Sequence, residues 1–118
     1  MTTKQIMNLD YRKTENQDII QKVLRQIKPL SKYSDECEIP ISAIEKAITV
    51  MCKKYPVQIN GIYADCSGNE QHIIWRMVLV NSKSFKQIDC VYGISLYELF
   101  SKAAIRLYAE VKKGASKK

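Results

Sequence analysis

Residues 71–80, QHIIWRMVLV, decide the fold of this chain. In a β-strand, successive side chains point to opposite faces, so this stretch divides into two alternating sets. Both sets contain apolar residues, which is typical of a strand in the middle of a sheet. One face would carry Ile73, Trp75, Met77 and Leu79, and the other His72, Ile74, Arg76, Val78 and Val80.

The segments on either side of this strand also alternate. VQINGIYAD at 57–65 has a strand pattern, and a turn containing Gly68 and Asn69 connects it to the central strand. A second short turn at 81–83 leads into a third, weaker strand at 84–93. Because consecutive strands joined by short turns pair antiparallel, we predict a three-stranded meander.

Three amphipathic helices surround the meander, at 14–29, 41–56 and 95–113. The last would end at Gly114. Each begins with a capping-box pattern, in which Ser or Thr is followed three residues later by Glu or Gln. These pairs are Thr14 with Gln17, Ser42 with Glu45, and Ser95 with Glu98. We predict a two-layer α+β domain, with the long C-terminal helix packed across the sheet and one or two N-terminal helices beside it.

The 118 residues have the length of one domain. We predict a flexible segment at 1–13, where no periodicity is visible, a single domain at 14–113 and a basic tail at 114–118. The polar N-terminus has no signal-peptide core, and no apolar run is long enough to span a membrane. These features favour a cytoplasmic protein with reduced cysteines.

The chain shows no local signature of catalysis. Its one histidine, His72, has no nucleophile or carboxylate pair nearby in the sequence, and no glycine-rich phosphate loop or nucleophile elbow is present. Its four cysteines lack the C-x-x-C spacing of structural zinc sites: Cys37, Cys52, Cys66 and Cys90. We therefore predict a non-enzymatic protein without metal or cofactor.

The function class that remains is a binding protein, and two kinds of partner are compatible with the sequence. Tyr63, Tyr92, Tyr97 and Tyr108 could form an exposed surface or cap the core with their hydroxyls outward. For a protein partner, which we favour, the predicted contacts are Tyr97 and Tyr108. The alternative is nucleic acid, because the net charge is +7 and much of it lies near the C-terminus. The predicted phosphate contacts are Lys102, Arg106, Lys112, Lys113, Lys117 and Lys118.

From residue 41 onward, the order helix, three strands, helix resembles the double-stranded-RNA-binding domain. As in that family, the last helix places two alanines, Ala103 and Ala104, eight and nine residues after its serine, Ser95. The resemblance implies the architecture. The family's phosphate-binding lysines, however, are replaced here by Leu96, Tyr97 and Phe100, so RNA binding by that helix is not implied.

Two further readings concern the kind of protein. In size, charge and lack of catalytic motifs, the chain resembles small bacteriophage or prophage accessory proteins, which act by binding host factors and in some cases inhibit host defence systems. Alternatively, the first helices and the following hairpin could form a winged helix, with the helix at 41–56 in the major groove. The exposed face of that helix would then offer Glu45, Lys46, Thr49, Lys53 and Lys54.

Overall fold

The sheet has three antiparallel strands, β1 (Val57–Asp65), β2 (Ile74–Asn81) and β3 (Gln87–Gly93), in the order β1-β2-β3. This is a computed structural model, and it describes residues 1–65 and 73–116. Its helices are α1 (Thr3–Met7), α2 (Thr14–Leu24), α3 (Ile41–Lys54) and α4 (Leu96–Ser116), with a short 3-10 helix at Lys28–Leu30. The predicted α+β meander, with its central strand and long C-terminal helix, is confirmed.

The strand register separates a helix-covered face from an open face. Met77 and Leu79 on β2 are fully buried, and Val91 lies opposite Met77 on β3. α4 packs on β2 and β3, α3 packs on β1 and α4, and α1 and α2 pack on α4. The alternate residues of β2, including Arg76 and Val78, therefore point away from the helices, as their spacing predicted.

The start of α4 follows the predicted cap in part. The Glu98 amide donates to Ser95 Oγ at 3.1 Å. The Glu98 carboxylate accepts from the amide of Ile94 at 2.6 Å, one residue before the position expected in a capping box. The helix also continues through Gly114 to Ser116, because a glycine weakens a helix by about 1 kcal/mol without removing an N–H group.

The two other predicted capping boxes are wrong. α2 starts after Lys13 and α3 after Pro40, and neither start has a side-chain cap. Thr14 and Ser42 therefore lie inside the first turn, where they cannot act as N-caps. Gln17 instead donates from Nε2 to the Tyr11 carbonyl at 2.9 Å, which fixes the chain that enters α2.

Residues 1–13, predicted to be flexible, contain a short helix and two buried side chains. α1 begins with a complete capping box between Thr2 and Gln5, and Ile6 and Tyr11 are buried in the core. A five-residue helix is too short to be stable alone, so its packing against α4 must hold it in place. Thr2 followed three residues later by Gln5 is a capping-box pattern that could have predicted this helix. The helix is too short, however, for its apolar residues to show a helical period.

Burial of Tyr11 makes stability sensitive to alkaline pH. Burial, reinforced by the neighbouring Tyr97, raises the pKa of Tyr11 from 10.0 to about 12. An unfolded Tyr11 would ionise first, so its contribution to stability is complete below pH 10 and is lost as pH rises toward 12. The free energy of unfolding, measured with urea, should fall more over this pH range in wild type than in Tyr11→Phe. Equal pH dependence in the two proteins would contradict the buried position of Tyr11.

No helix in the described part of the chain is long and apolar enough to cross a membrane. Among the described residues, Cys37, Cys52 and Cys90 are free thiols. The predictions for His72 and Cys66, and for the turn containing Gly68, fall outside the described residues.

Candidate binding surface on the open face of the sheet

Lys102, a predicted phosphate contact, is buried. Its Nζ lies 2.7 Å from Glu98 Oε1 and donates to the Leu9 carbonyl at 3.0 Å. The side chains of Lys102 and Glu98 are each only 5% exposed. Lys102 therefore stabilises the packing of the N-terminal segment on α4 and cannot reach a phosphate in this structure.

Arg106 is also held inside the protein. Its Nε donates to Asp89 Oδ2 at 2.7 Å and its Nη1 to Glu110 Oε1 at 2.5 Å, so the guanidinium links α4 to β3. Because two carboxylates already neutralise this cation, a phosphate would have to displace them. Arg106 as a nucleic-acid contact stays a prediction, and in the folded state it would require this displacement.

The remaining predicted cations lie near the end of α4. Lys112 is exposed, and its Nζ lies 4.9 Å from the centre of the Tyr108 ring. Lys113 is exposed and has Glu110 Oε1 at 3.9 Å. Lys117 and Lys118 fall outside the described residues. Of the four predicted cations that the structure describes, Lys102 and Arg106 have internal partners, whereas Lys112 and Lys113 are exposed.

Tyr97, a predicted partner contact, belongs to a buried network. Its hydroxyl donates to the Ile39 carbonyl and accepts from Gln21 Nε2 at 3.0 Å. Gln21 Oε1 in turn accepts from the Ile39 amide at 3.1 Å. Tyr97 therefore joins α2, α4 and the chain before α3. Tyr108, the other predicted contact, is half-buried against the core.

The open face of the sheet instead carries a row of three side chains, one from each strand. Tyr63 on β1 pairs with Arg76 on β2, and Arg76 pairs with Tyr92 on β3. The Arg76 guanidinium lies 4.9 Å from the centre of the Tyr63 ring, a cation–π distance. Hydrogen bonding with Cys90 raises the pKa of Tyr92, and the nearby Arg76 opposes this rise. Arg76 thus lies between the two tyrosines in the register of the sheet.

Gly61 positions one of these rings. A Cβ placed at Gly61 would collide with the outer end of the Tyr63 side chain, so this ring lies over the glycine. A ring that covers a glycine in an edge strand protects the backbone there and is held close to the sheet surface. The glycine therefore helps to place Tyr63 where Arg76 can approach its ring.

Exposed apolar side chains concentrate around this row. They come from the last part of β1, the start of β2, the end of β3 and the entry to α4, which meet at one end of the sheet. We call this region the apolar end. It comprises Ile62, Tyr63, Ile73, Ile74, Tyr92, Ile94 and Leu96.

Sequence reasoning recognised Tyr63 and Tyr92 as possible surface residues but did not select them. The alternation of β2 placed Arg76 on the face away from Met77, and that signal could have linked Arg76 to the tyrosines of the neighbouring strands. In the described ranges, no three His, Cys, Asp or Glu side chains cluster in a way that would hold a metal ion. The chain matches no family model, no curated protein and no solved structure.

Proposed function

We propose that this chain is a non-enzymatic, cytoplasmic binding protein that acts through a protein partner held on the apolar end. The observation that carries this proposal is the Tyr63–Arg76–Tyr92 row on the sheet face that no described helix covers, with exposed isoleucines at the same end of the sheet. Tyrosine and arginine are enriched at protein interfaces, whereas lysine and glutamate are depleted. The row supplies two tyrosines and one arginine.

The position of the row also suits a binding hot spot. Tyr92 is 54% exposed, so a partner would remove a large aromatic area from water. Arg76 is already oriented by Tyr63, which reduces the side-chain entropy that binding must overcome. Exposed apolar patches on small proteins commonly mark such sites.

The resemblance in kind to small bacteriophage accessory proteins extends the proposal. A host protein would then be the partner, and covering one of its functional surfaces would inhibit it. The extension needs no catalytic group on this chain.

Tyr92→Ala is expected to weaken binding to the partner by about 2 kcal/mol or more, as for a central aromatic contact. Capture from a host lysate, performed with and without nuclease, would supply the partner, and titration of the purified partner would measure the loss. Tyr108→Ala tests the surface predicted from sequence and should change affinity little. A capture that disappears after nuclease treatment, or a larger loss for Tyr108→Ala than for Tyr92→Ala, would contradict the proposal.

A further inference from the structure

The turn between β2 and β3 holds an exposed aromatic residue in an unusual backbone conformation. Phe85 has φ of 60°, in the left-handed region, and is 70% exposed. A bulky residue in this region is an outlier, because its Cβ crowds the backbone. An exposed phenylalanine gains little from burial in return, so packing within this chain does not explain it.

Asn81 fixes the turn. Its side-chain Oδ1 accepts from the amides of Lys83 and Ser84 at 2.9 and 3.0 Å, and its carbonyl accepts from the Phe85 amide at 2.8 Å. Its own amide donates to the Lys86 carbonyl at 2.9 Å. The turn therefore presents Phe85 on an ordered loop, and this turn extends to Lys86, beyond the short turn predicted at 81–83.

Two lysines flank this aromatic residue in the turn, and two more lie at the same end of the sheet. Lys83 and Lys86 belong to the turn, and Lys53 and Lys54 end α3. The two pairs meet at one end of the sheet, because the Ser82 amide donates to the Pro56 carbonyl at 3.0 Å. We call this region, made of Lys53, Lys54, Lys83, Phe85 and Lys86, the basic end.

The basic end has no neutralising carboxylate. All four lysines are exposed, and none has an ion-pair partner within the ranges that the structure describes. The sequence explains this, since neither 46–64 nor 71–88 contains an aspartate or glutamate. A positive field of this kind attracts polyanions.

We propose that the basic end binds single-stranded nucleic acid, with an unpaired base stacked on Phe85 and the neighbouring phosphates neutralised by the four lysines. Charge complementarity and an accessible ring are the two features that such ligands require. The sheet adds a third feature, a pair of amide side chains. Gln58 and Gln87 both pair with Val80 on the open face, in the row next to the turn. Their amide groups can hydrogen-bond base edges, which a phospholipid surface does not offer.

This site differs from the predicted one on α4. The phosphate contacts predicted from sequence include Lys102 and Arg106, which have internal partners. The phosphate contacts proposed here are the four lysines of the basic end, which have no ion-pair partner among the described residues. The site is also separate from the apolar end. The rows at Val80 and Arg76 are four residues apart along β2, or about 13 Å.

Phe85→Gly tests the stacking role without threatening the fold. Glycine adopts positive φ freely, so this variant should unfold at the same or a higher denaturant concentration than wild type. Its affinity for a fluorescein-labelled twelve-nucleotide oligothymidylate, measured by anisotropy, should fall between about fivefold and about a hundredfold. Phe85→Tyr keeps an aromatic ring and should retain most of the affinity.

Lysine variants test the electrostatic part. Replacing both Lys83 and Lys86 by glutamine should reduce the slope of log affinity against log salt by about 1.4, at about 0.7 per phosphate contact on a single strand. A matched pair, Lys13→Gln with Lys28→Gln, removes the same charge from exposed positions elsewhere and should leave the slope nearly unchanged. Tyr92→Ala, which tests the protein partner, should bind the oligonucleotide like wild type.

Four results would overturn the proposal. The first is failure of the oligothymidylate to bind at low salt, and the second is equal affinity for wild type and Phe85→Gly. The third is equally tight binding to a duplex of the same length, because paired bases cannot stack on the ring. The fourth is binding to phosphatidylserine vesicles without binding to the oligonucleotide, which would identify the basic end as a membrane contact.

Discussion

Glu98→Ala is expected to lower the free energy of unfolding by about 3–5 kcal/mol, the usual cost of removing one partner of a buried ion pair. The carboxylate lies 2.7 Å from Lys102 Nζ and also accepts from the Ile94 amide. Without it, the Lys102 ammonium stays buried with only the Leu9 carbonyl, and the cap of α4 loses an acceptor. Urea unfolding monitored by circular dichroism would measure the change.

A control on the same helix is Glu110→Ala. Glu110 also pairs with a cation four residues away, but it is more exposed and Arg106 keeps Asp89 as a second partner. Its loss should cost about 1 kcal/mol or less. Equal costs for the two variants would show that Glu98 and Lys102 do not form a buried pair.

A double variant separates charge from shape. Glu98→Gln with Lys102→Met keeps an acceptor for the Ile94 amide and leaves no buried charge. Because apolar replacements of buried ion pairs are often neutral or stabilising, most of the lost stability should return. A double variant as unstable as Glu98→Ala would mean that the unpaired ammonium does not account for the cost, because the double variant contains no buried charge.

Gly93→Ala is the second substitution with a large expected effect. A Cβ at this position would lie 2.7 Å from the Leu99 amide nitrogen and 3.1 Å from its Cα. Both atoms are backbone, so the start of α4 would have to move away from β3. Overpacking of this kind costs about 1–3 kcal/mol and occasionally more, and we expect the upper end because no side chain can rotate away.

Gly61→Ala provides the matched comparison. The added methyl group would meet the outer end of the Tyr63 side chain, which can rotate toward solvent. Stability should therefore change much less than in Gly93→Ala. Displacement of the ring from Arg76 should nevertheless weaken binding at the apolar end. If the two glycine variants unfolded at the same denaturant concentration, the close contact between Gly93 and Leu99 would be refuted.

The strands and the amphipathic faces of the helices were readable from the chain. β1 has the predicted bounds, Val57–Asp65, because its strand-forming stretch lies between Pro56 and a polar segment, although a bulge between Ile59 and Gly61 interrupts its alternation. The apolar face of α3 is buried at Ile44, Ala47 and Ile48. In these elements, the pattern and the burial have the same physical cause, since only one face can leave water.

Local caps were less predictable. Of the three serine or threonine residues predicted as caps, only Ser95 accepts from the amide three residues later. The capping box at Thr2 was not predicted. A side chain caps a helix only when it lies at the residue where the backbone turns into the helix. That residue depends on packing as well as on the local pattern.

The sequence by itself determined the α+β class, the antiparallel meander and the core-facing sides of β2 and α3, because these follow from the spacing of apolar residues and from the short turns. Only the tertiary structure decided which charged and aromatic side chains are available to a partner. Lys102 and Tyr97 look like surface residues in the helical pattern, but the acceptors that hold them, the carbonyls of Leu9 and Ile39, lie 93 and 58 residues away in the chain. Periodicity describes the neighbours of a residue along its own element, whereas availability depends on groups that distant segments bring into contact with it.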